Sequence, residues 1–208
     1  MARPRHPMPV LPSSPPRIRT ARLVLTLPTR EDAPELLAYG LRNLEHLVPW
    51  SPPPPAEGLS LEIYQRLVTR SRREFEEGQS VRLWARLGDA TEGPFVGAVS
   101  LLDINLGAFR ACILGYHIDR AFEGKGYMSE AVAAVVRYAF EELKLHRIMA
   151  NYVPHNVRSA RLLERLGFVK EGYAKEYLFI HDRWQDHVLT SLTNRELGDA
   201  KALVAGGG

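Results

Sequence analysis

Glu123-Gly124-Lys125-Gly126-Tyr127 lies between a strand-like run, Cys112 to Ile118, and a helix-like run, Met128 to Leu143. Two glycines at a strand-to-helix junction let backbone N–H groups converge on an anion, and the start of the helix adds the positive end of its dipole. The chemistry this supports is the cradling of a pyrophosphate. A tight βα turn that needs two glycines has the same sequence, so the loop alone leaves both readings open. Two nucleotide-binding patterns are excluded. The dinucleotide fingerprint needs Gly or Ala three residues after Gly126, where Ser129 stands. The nucleoside-triphosphate loop needs Gly five residues before Gly124, and Asp119 occupies that position. No set of His, Cys, Asp or Glu has metal-ligand spacing, and no Cys-x-x-Cys occurs.

The elements that must position this loop follow from periodicity. Ala21 to Leu27 alternates as a strand. Thr29 with Asp32 resembles an N-cap and an acidic first turn, opening a helix toward Leu47. Pro49-Trp50-Ser51 and the prolines from Pro52 to Pro55 break that helix and impose a stiff, extended segment. A second helix, Leu59 to Glu77, is expected to turn Leu59, Ile63, Leu67 and Val68 inward and Arg66, Arg70, Arg72 and Arg73 outward, and Gly78 ends it. Val81 to Leu87, Phe95 to Asp103 and Phe109 to Ile118 form a meander. Beyond the glycine loop, Met128, Val132, Val135, Ala139 and Leu143 share one helical face. Arg147 to Val153 is a short buried strand and Asn156 to Leu166 a helix stopped by Gly167. Phe168 to Ile180 and Trp184 to Thr193 make a closing hairpin around His181-Asp182-Arg183. The fold class is α+β, with one central, mostly antiparallel sheet of about seven strands covered by helices.

Bulk properties narrow the function classes. A chain of 208 residues favours one domain, here 18–197, between a Pro-rich segment over 1–17, expected to be disordered, and a frayed tail over 198–208. No apolar run approaches the ~18–20 residues of a membrane span, and the Arg- and Pro-rich start has no apolar stretch of a secretion signal. Cys112, the only cysteine, has no internal disulfide partner, which points to the cytoplasm. A net charge of +3 makes no case for nucleic-acid binding and does not repel an acidic or ribosomal partner.

Three further stretches carry a family resemblance. Asn156-x-x-Ser159-x-Arg161-Leu162-Leu163-Glu164-Arg165-Leu166-Gly167-Phe168 is similar to the second cofactor motif of the GNAT acetyltransferase superfamily. His146-Arg147-Ile148-Met149-Ala150-Asn151-Tyr152, with Glu171-Gly172-Tyr173-Ala174-Lys175 and Trp184-x-Asp186-His187-Val188-Leu189-Thr190, resembles its RimJ/RimL branch, the RimJ type above all. The similarity spans Thr20 to Thr193. It implies a GNAT fold splayed between the strand ending at Ile118 and the next, helices on both faces of the sheet, acetyl-CoA as co-substrate, and a primary amine as acceptor. For the RimJ type the acceptor is the N-terminal alanine of a ribosomal protein. A small-molecule amine acetyltransferase and an acetyl-CoA-binding module with little catalysis stay open, as do monomer and homodimer.

The resemblance also assigns candidate roles. Backbone amides of Glu123, Gly124, Lys125, Gly126 and Tyr127, with Met128 and Ser129, would bind the pyrophosphate, while Ala121 stands where many family members carry Arg or Gln. Pantetheine would pair with the splayed strand, and a backbone N–H near Ile118 would polarise the thioester carbonyl. Asn156 is a pantetheine contact or a helix cap. Ser159 would stabilise or protonate the leaving thiolate. Glu176 is the candidate general base. Trp50, Tyr116, Tyr177 and Asp186 would contact the acceptor, and each also has a packing or ion-pairing role open to it. In the last hairpin Trp184 and Asp186 share a face, and His187, read as structural, points the other way. At pH 7 roughly a tenth of free α-amines are neutral against well under ~0.1% of lysines, so an N-terminal acceptor asks little of the base.

Overall fold

In the computed structural model, residues 12, 14–88, 93–180 and 182–197 are described. The chain runs through β1 (Arg17–Arg19), β2 (Leu23–Thr26), α1 (Ala33–Leu47), α2 (Leu61–Glu76), β3 (Val81–Leu87), β4 (Phe95–Asn105), β5 (Ala111–Ile118), α3 (Tyr127–Glu141), β6 (Arg147–Met149), α4 (Val157–Arg165), β7 (Val169–Ile180) and β8 (Arg183–Thr193). The strands form one sheet in the order β1-β2-β3-β4-β5-β6-β8-β7. Among the described residues only the β5–β6 pair is parallel.

About seven strands were expected, and the described residues form eight. The extra strand is β1, whose three residues Arg-Ile-Arg carry one apolar side chain and are too few to give a periodic signal. It starts inside the segment expected to be disordered. Residues 1–11 and 13 of that segment, the tail 198–208, part of the expected turn (89–92) and His181 of the closing hairpin lie outside the described residues. The strand expected over Arg147 to Val153 stops at Met149, and Tyr152 returns only as an isolated bridge to Val188.

That early stop opens the sheet. β5 pairs with β6 at Ala111↔Arg147, Cys112↔Ile148 and Ile113↔Met149. Beyond Ile113, β5 keeps β4 on one side as far as Gly97↔Ile118 and has no strand on the other. The chain after Met149 follows β8 instead, with Ala150 N–H donating to Thr190 O at 2.9 Å. A wedge therefore parts the two halves of the sheet, and the edge of β5 along it offers unpaired backbone groups.

Each face of the sheet has its own core. Leu83, Ala85, Val99, Cys112 and Leu114 pack with Met128, Ala131, Val132 and Val135 of α3 and Leu162 and Leu163 of α4. On the opposite face Leu36, Tyr39, Val68 and Phe95 pack with Trp84 under α1 and α2. Alternation along β5 sends Tyr116 and Ile118 toward the larger core, while His117 stands against Tyr39 and Trp84.

Candidate active site

The glycine loop is built as an amide cradle. Gly124 and Gly126 hold φ of +73° and +80°, the left-handed region that glycine enters without strain. The first α3 donor with a backbone acceptor is Glu130, to Gly126 O at 3.1 Å. Among the described residues the N–H groups of Gly124 through Ser129 have no backbone acceptor, so they stand open at the positive end of the helix.

Side chains brace the loop from outside. The Glu123 carboxylate pairs with Arg158 of α4 and lies 3.5 Å from His46 Nε2 of α1. Arg22 donates to Lys125 O at 3.0 Å, pairs with Glu130 and covers the Tyr127 ring at 4.4 Å. Lys125 does not project into the cradle: its ammonium donates to Ala121 O at 2.9 Å, over the Phe122 ring. A different cation reaches the helix start, since Arg165 at the end of α4 donates to Ser129 Oγ at 3.2 Å. Met128 is buried, and its methyl lies close to Gly97.

Across the wedge, Tyr116 Oη and Ser159 Oγ are 2.6 Å apart. Burial pushes the Tyr116 phenol up to about 12; the Ser159 hydrogen bond opposes this and the nearby Tyr152 adds to it. The phenol is thus protonated at neutral pH, and the pair can hand a proton to a leaving group. Ser159 is fixed by Asn156, whose Oδ1 accepts the Ser159 N–H at 3.0 Å. Asn156 is therefore the α4 N-cap, and its amide NH2 remains for a ligand. The Trp50 ring packs tilted against that of His155, centroids 5.3 Å apart, which ties the Pro-rich segment after α1 to the residue before this cap.

The closing hairpin contains a bulge absent from the sequence expectation. Ala174 pairs with His187 and Leu178 with Gln185, so Lys175, Glu176 and Tyr177 oppose the single residue Asp186. Asp186 organises the bulge: Oδ1 accepts the Glu176 N–H at 2.9 Å and Oδ2 accepts from Tyr173 Oη at 2.7 Å. These two bonds, the backbone one first, hold its carboxyl below the usual range. Glu176 has φ of +49° and is exposed. Tyr177 folds back over the sheet, its Oη accepting from Asn151 Nδ2 at 3.0 Å and its ring 5.1 Å from that of His187.

Two features escaped the sequence expectations. His117 beside Ile118 has its pKa pushed down to about 4 by burial and by His46, and its Nδ1 lies 2.9 Å from Tyr39 Oη. Gly97 allows β4 and β5 to close at the wedge, for a Cβ there would meet His117 O at 2.3 Å. A lone glycine inside a strand pattern was the available signal for Gly97. Among the described residues no group of three or more His, Cys, Asp or Glu is placed to hold a metal ion.

Residues 22–169 match the acetyltransferase (GNAT) domain family. The [ribosomal protein uS5]-alanine N-acetyltransferase of Escherichia coli (strain K12) is 41% identical over 177 residues, covering 85% of this chain and 90% of the relative. The ribosomal-protein-S5-alanine acetyltransferase of Vibrio fischeri superposes with a TM-score of 0.81 at 33% identity, over 88% of this chain and all of that one. Mycobacterium smegmatis RimJ, solved in complex with CoA-disulfide, gives a TM-score of 0.76 at 29% identity over 93% of both chains. With its open amide cradle, its parted β5–β6 edge and this similarity along most of its length, the chain belongs to the GNAT acetyltransferase family.

Proposed function

We propose that this protein moves the acetyl group of acetyl-CoA to the N-terminal α-amine of a protein, with an alanine-starting ribosomal protein as acceptor. The observation that carries the reading is the wedge: an open strand edge leads directly into a row of unpaired amides at a helix start. The names of the Escherichia coli and Vibrio relatives support the acceptor. The co-substrate supplies an activated thioester when bound.

The residues of this chain supply the rest. Amides from Gly124 to Ser129, with the Arg165 guanidinium nearby, suit a pyrophosphate, whereas the expected Glu123 amide is already given to Arg120 O at 3.4 Å. The free β5 edge suits pantetheine laid down as an added strand, with the Asn156 amide within the same wall. A backbone N–H near Ile118 polarises the thioester carbonyl. The Tyr116–Ser159 pair returns a proton to the leaving sulfur. Trp50 and Tyr177 rim the acceptor side.

The test is thiol release from acetyl-CoA with Ala-starting peptides bearing a free or a blocked N-terminus, with a polyamine mix, and without acceptor. Turnover confined to free N-termini is the expected result. Turnover confined to polyamines would replace this acceptor by a small amine. Tight acetyl-CoA binding with no turnover on any amine would leave a binding module.

A further inference from the structure

The attacking amine must give up a proton, and the exposed Glu176 side chain is held by no described group. We infer that His187 receives this proton at Nε2, while the Glu176 bulge serves to seat Tyr177 against the His187 ring. The inference rests on the acetyl-transfer reading above.

Position comes first. Along β8, Leu192 packs on the larger core beside α4, and Val188 bridges Tyr152, which packs on that core too. Alternation therefore places His187 on the other face of the sheet, the face on which His117 stands. The Tyr116–Ser159 pair lies on the α4 side. Direct attack on a thioester needs a proton acceptor on the side of the incoming amine and a proton donor at the sulfur. Alternation puts His187 on one face of the sheet, and Ser159 belongs to α4 on the other.

The ring is also prepared for the task. Only 4% of His187 is exposed. Its Nδ1 lies 3.1 Å from Gln185 O, and a carbonyl can only accept, so Nδ1 carries the proton and Nε2 the lone pair. Nε2 has no protein partner among the described residues. It is not sealed from solvent either, for Tyr138 Oη is the one buried side-chain polar atom there without a partner. The Tyr177 ring fixes the imidazole from β7, and Asn151 holds the Tyr177 oxygen while its own Oδ1 takes the Thr190 N–H at 3.3 Å. Tyr177 keeps its hydroxyl proton for a carbonyl of the acceptor. The other titratable groups around the ring are Asp186, bound into the bulge, and Lys175 and Glu176 within it. Free imidazole is also matched to an α-amine more closely than a free carboxylate is.

The step balances. As the amine nitrogen bonds to the acetyl carbon and the carbon–sulfur bond breaks, the amine proton passes to His187 Nε2. The sulfur takes a proton from the Tyr116–Ser159 pair, and water resets both groups.

The experiment compares wild type, His187→Gln and Glu176→Gln across pH 6–9 on a free-N-terminus Ala peptide, with CoA affinity measured in parallel. His187→Gln is expected to lose about a hundred- to ten-thousand-fold in kcat at neutral pH with CoA affinity kept, and to recover as pH rises and more amine is neutral. His187→Ala is expected to regain turnover when imidazole is added. The reverse pattern, with Glu176→Gln carrying the loss and His187→Gln near wild type, would overturn the inference. So would loss of CoA binding in both His187 variants, which would assign the ring to packing. If wild type acetylates a different amine, the acceptor reading falls and the same comparison is run on that amine.

Discussion

Gly97→Ala probes how the end of β5 is held at the wedge. The added Cβ would stand 2.3 Å from His117 O, 2.8 Å from Met128 Cε and 3.1 Å from Ile118 Cα. A methionine methyl can swing aside, but backbone atoms of a paired strand cannot. Recovering normal contact distances requires β5 to retreat by roughly 1 Å at the Gly97↔Ile118 pair. Overpacking of this kind costs about 1–3 kcal/mol, and a weakened ladder bond adds about 1 kcal/mol, giving about 2–4 kcal/mol. For a chain of this size each kcal/mol lowers Tm by about 2–4 °C, so a drop of about 5–15 °C is expected in thermal melting. A shift of roughly 1 Å beside the reacting thioester also costs up to about a hundredfold in turnover. Gly124→Ala is the control: its Cβ meets no atom within 4 Å, and only its φ of +73° opposes the change, at about 1–2 kcal/mol. A Gly97→Ala protein that melts within about 2 °C of wild type and turns over normally would refute the reasoning.

Three other outcomes follow from single contacts. Burial would raise the Glu74 carboxyl, but hydrogen bonds from Ser80, Arg70 and Arg82 outweigh it and hold the pKa down at about 2. Its contribution of about 3 kcal/mol is complete above the unfolded value of 4.5 and is lost as pH falls toward 2, which urea titrations between pH 5 and 2 will show; Glu74→Gln should flatten that window. Asn156→Ala removes the α4 cap and is expected to cost about 0.5–2 kcal/mol in chemical denaturation, with kcat falling because Ser159 loses its support, whereas Asn156→Asp keeps the accepting oxygen. Asp186→Ala frees the Glu176 N–H and Tyr173, so the peptide KM is expected to rise while CoA affinity, measured by titration calorimetry, stays as it was.

What the sequence conveyed and what it withheld divide by range. Strand β3 matches its expected bounds, Val81 to Leu87, because Val81, Leu83 and Ala85 alternate cleanly into one core. On α3, Met128, Val132, Val135 and Ala139 are buried as their spacing requires, and so is Leu143, although the helix ends before it at Glu141. The glycine turn and the Asn156 cap were legible for a similar reason, since glycines and helix caps act within a few residues of themselves, whereas the role given to Ser159 came only from family resemblance. The parting of β5 from β6 was known only through family resemblance, since no local pattern records where a parallel partner stops.

The bulge in β7 was not legible at all, and its cause explains why. Nothing in Lys175-Glu176-Tyr177 marks an insertion; the mark is Asp186 on the partner strand, whose carboxylate takes the Glu176 N–H that the ladder leaves over. The resemblance names Glu176 as the candidate base and leaves His187 structural. Two extra residues in β7 decide what surrounds them. They bring Tyr177 over His187 and leave Glu176 outside in a left-handed conformation. The contact that seats Tyr177 on the His187 ring is thus set by a register shift between two strands, a property of the pair that neither segment carries alone.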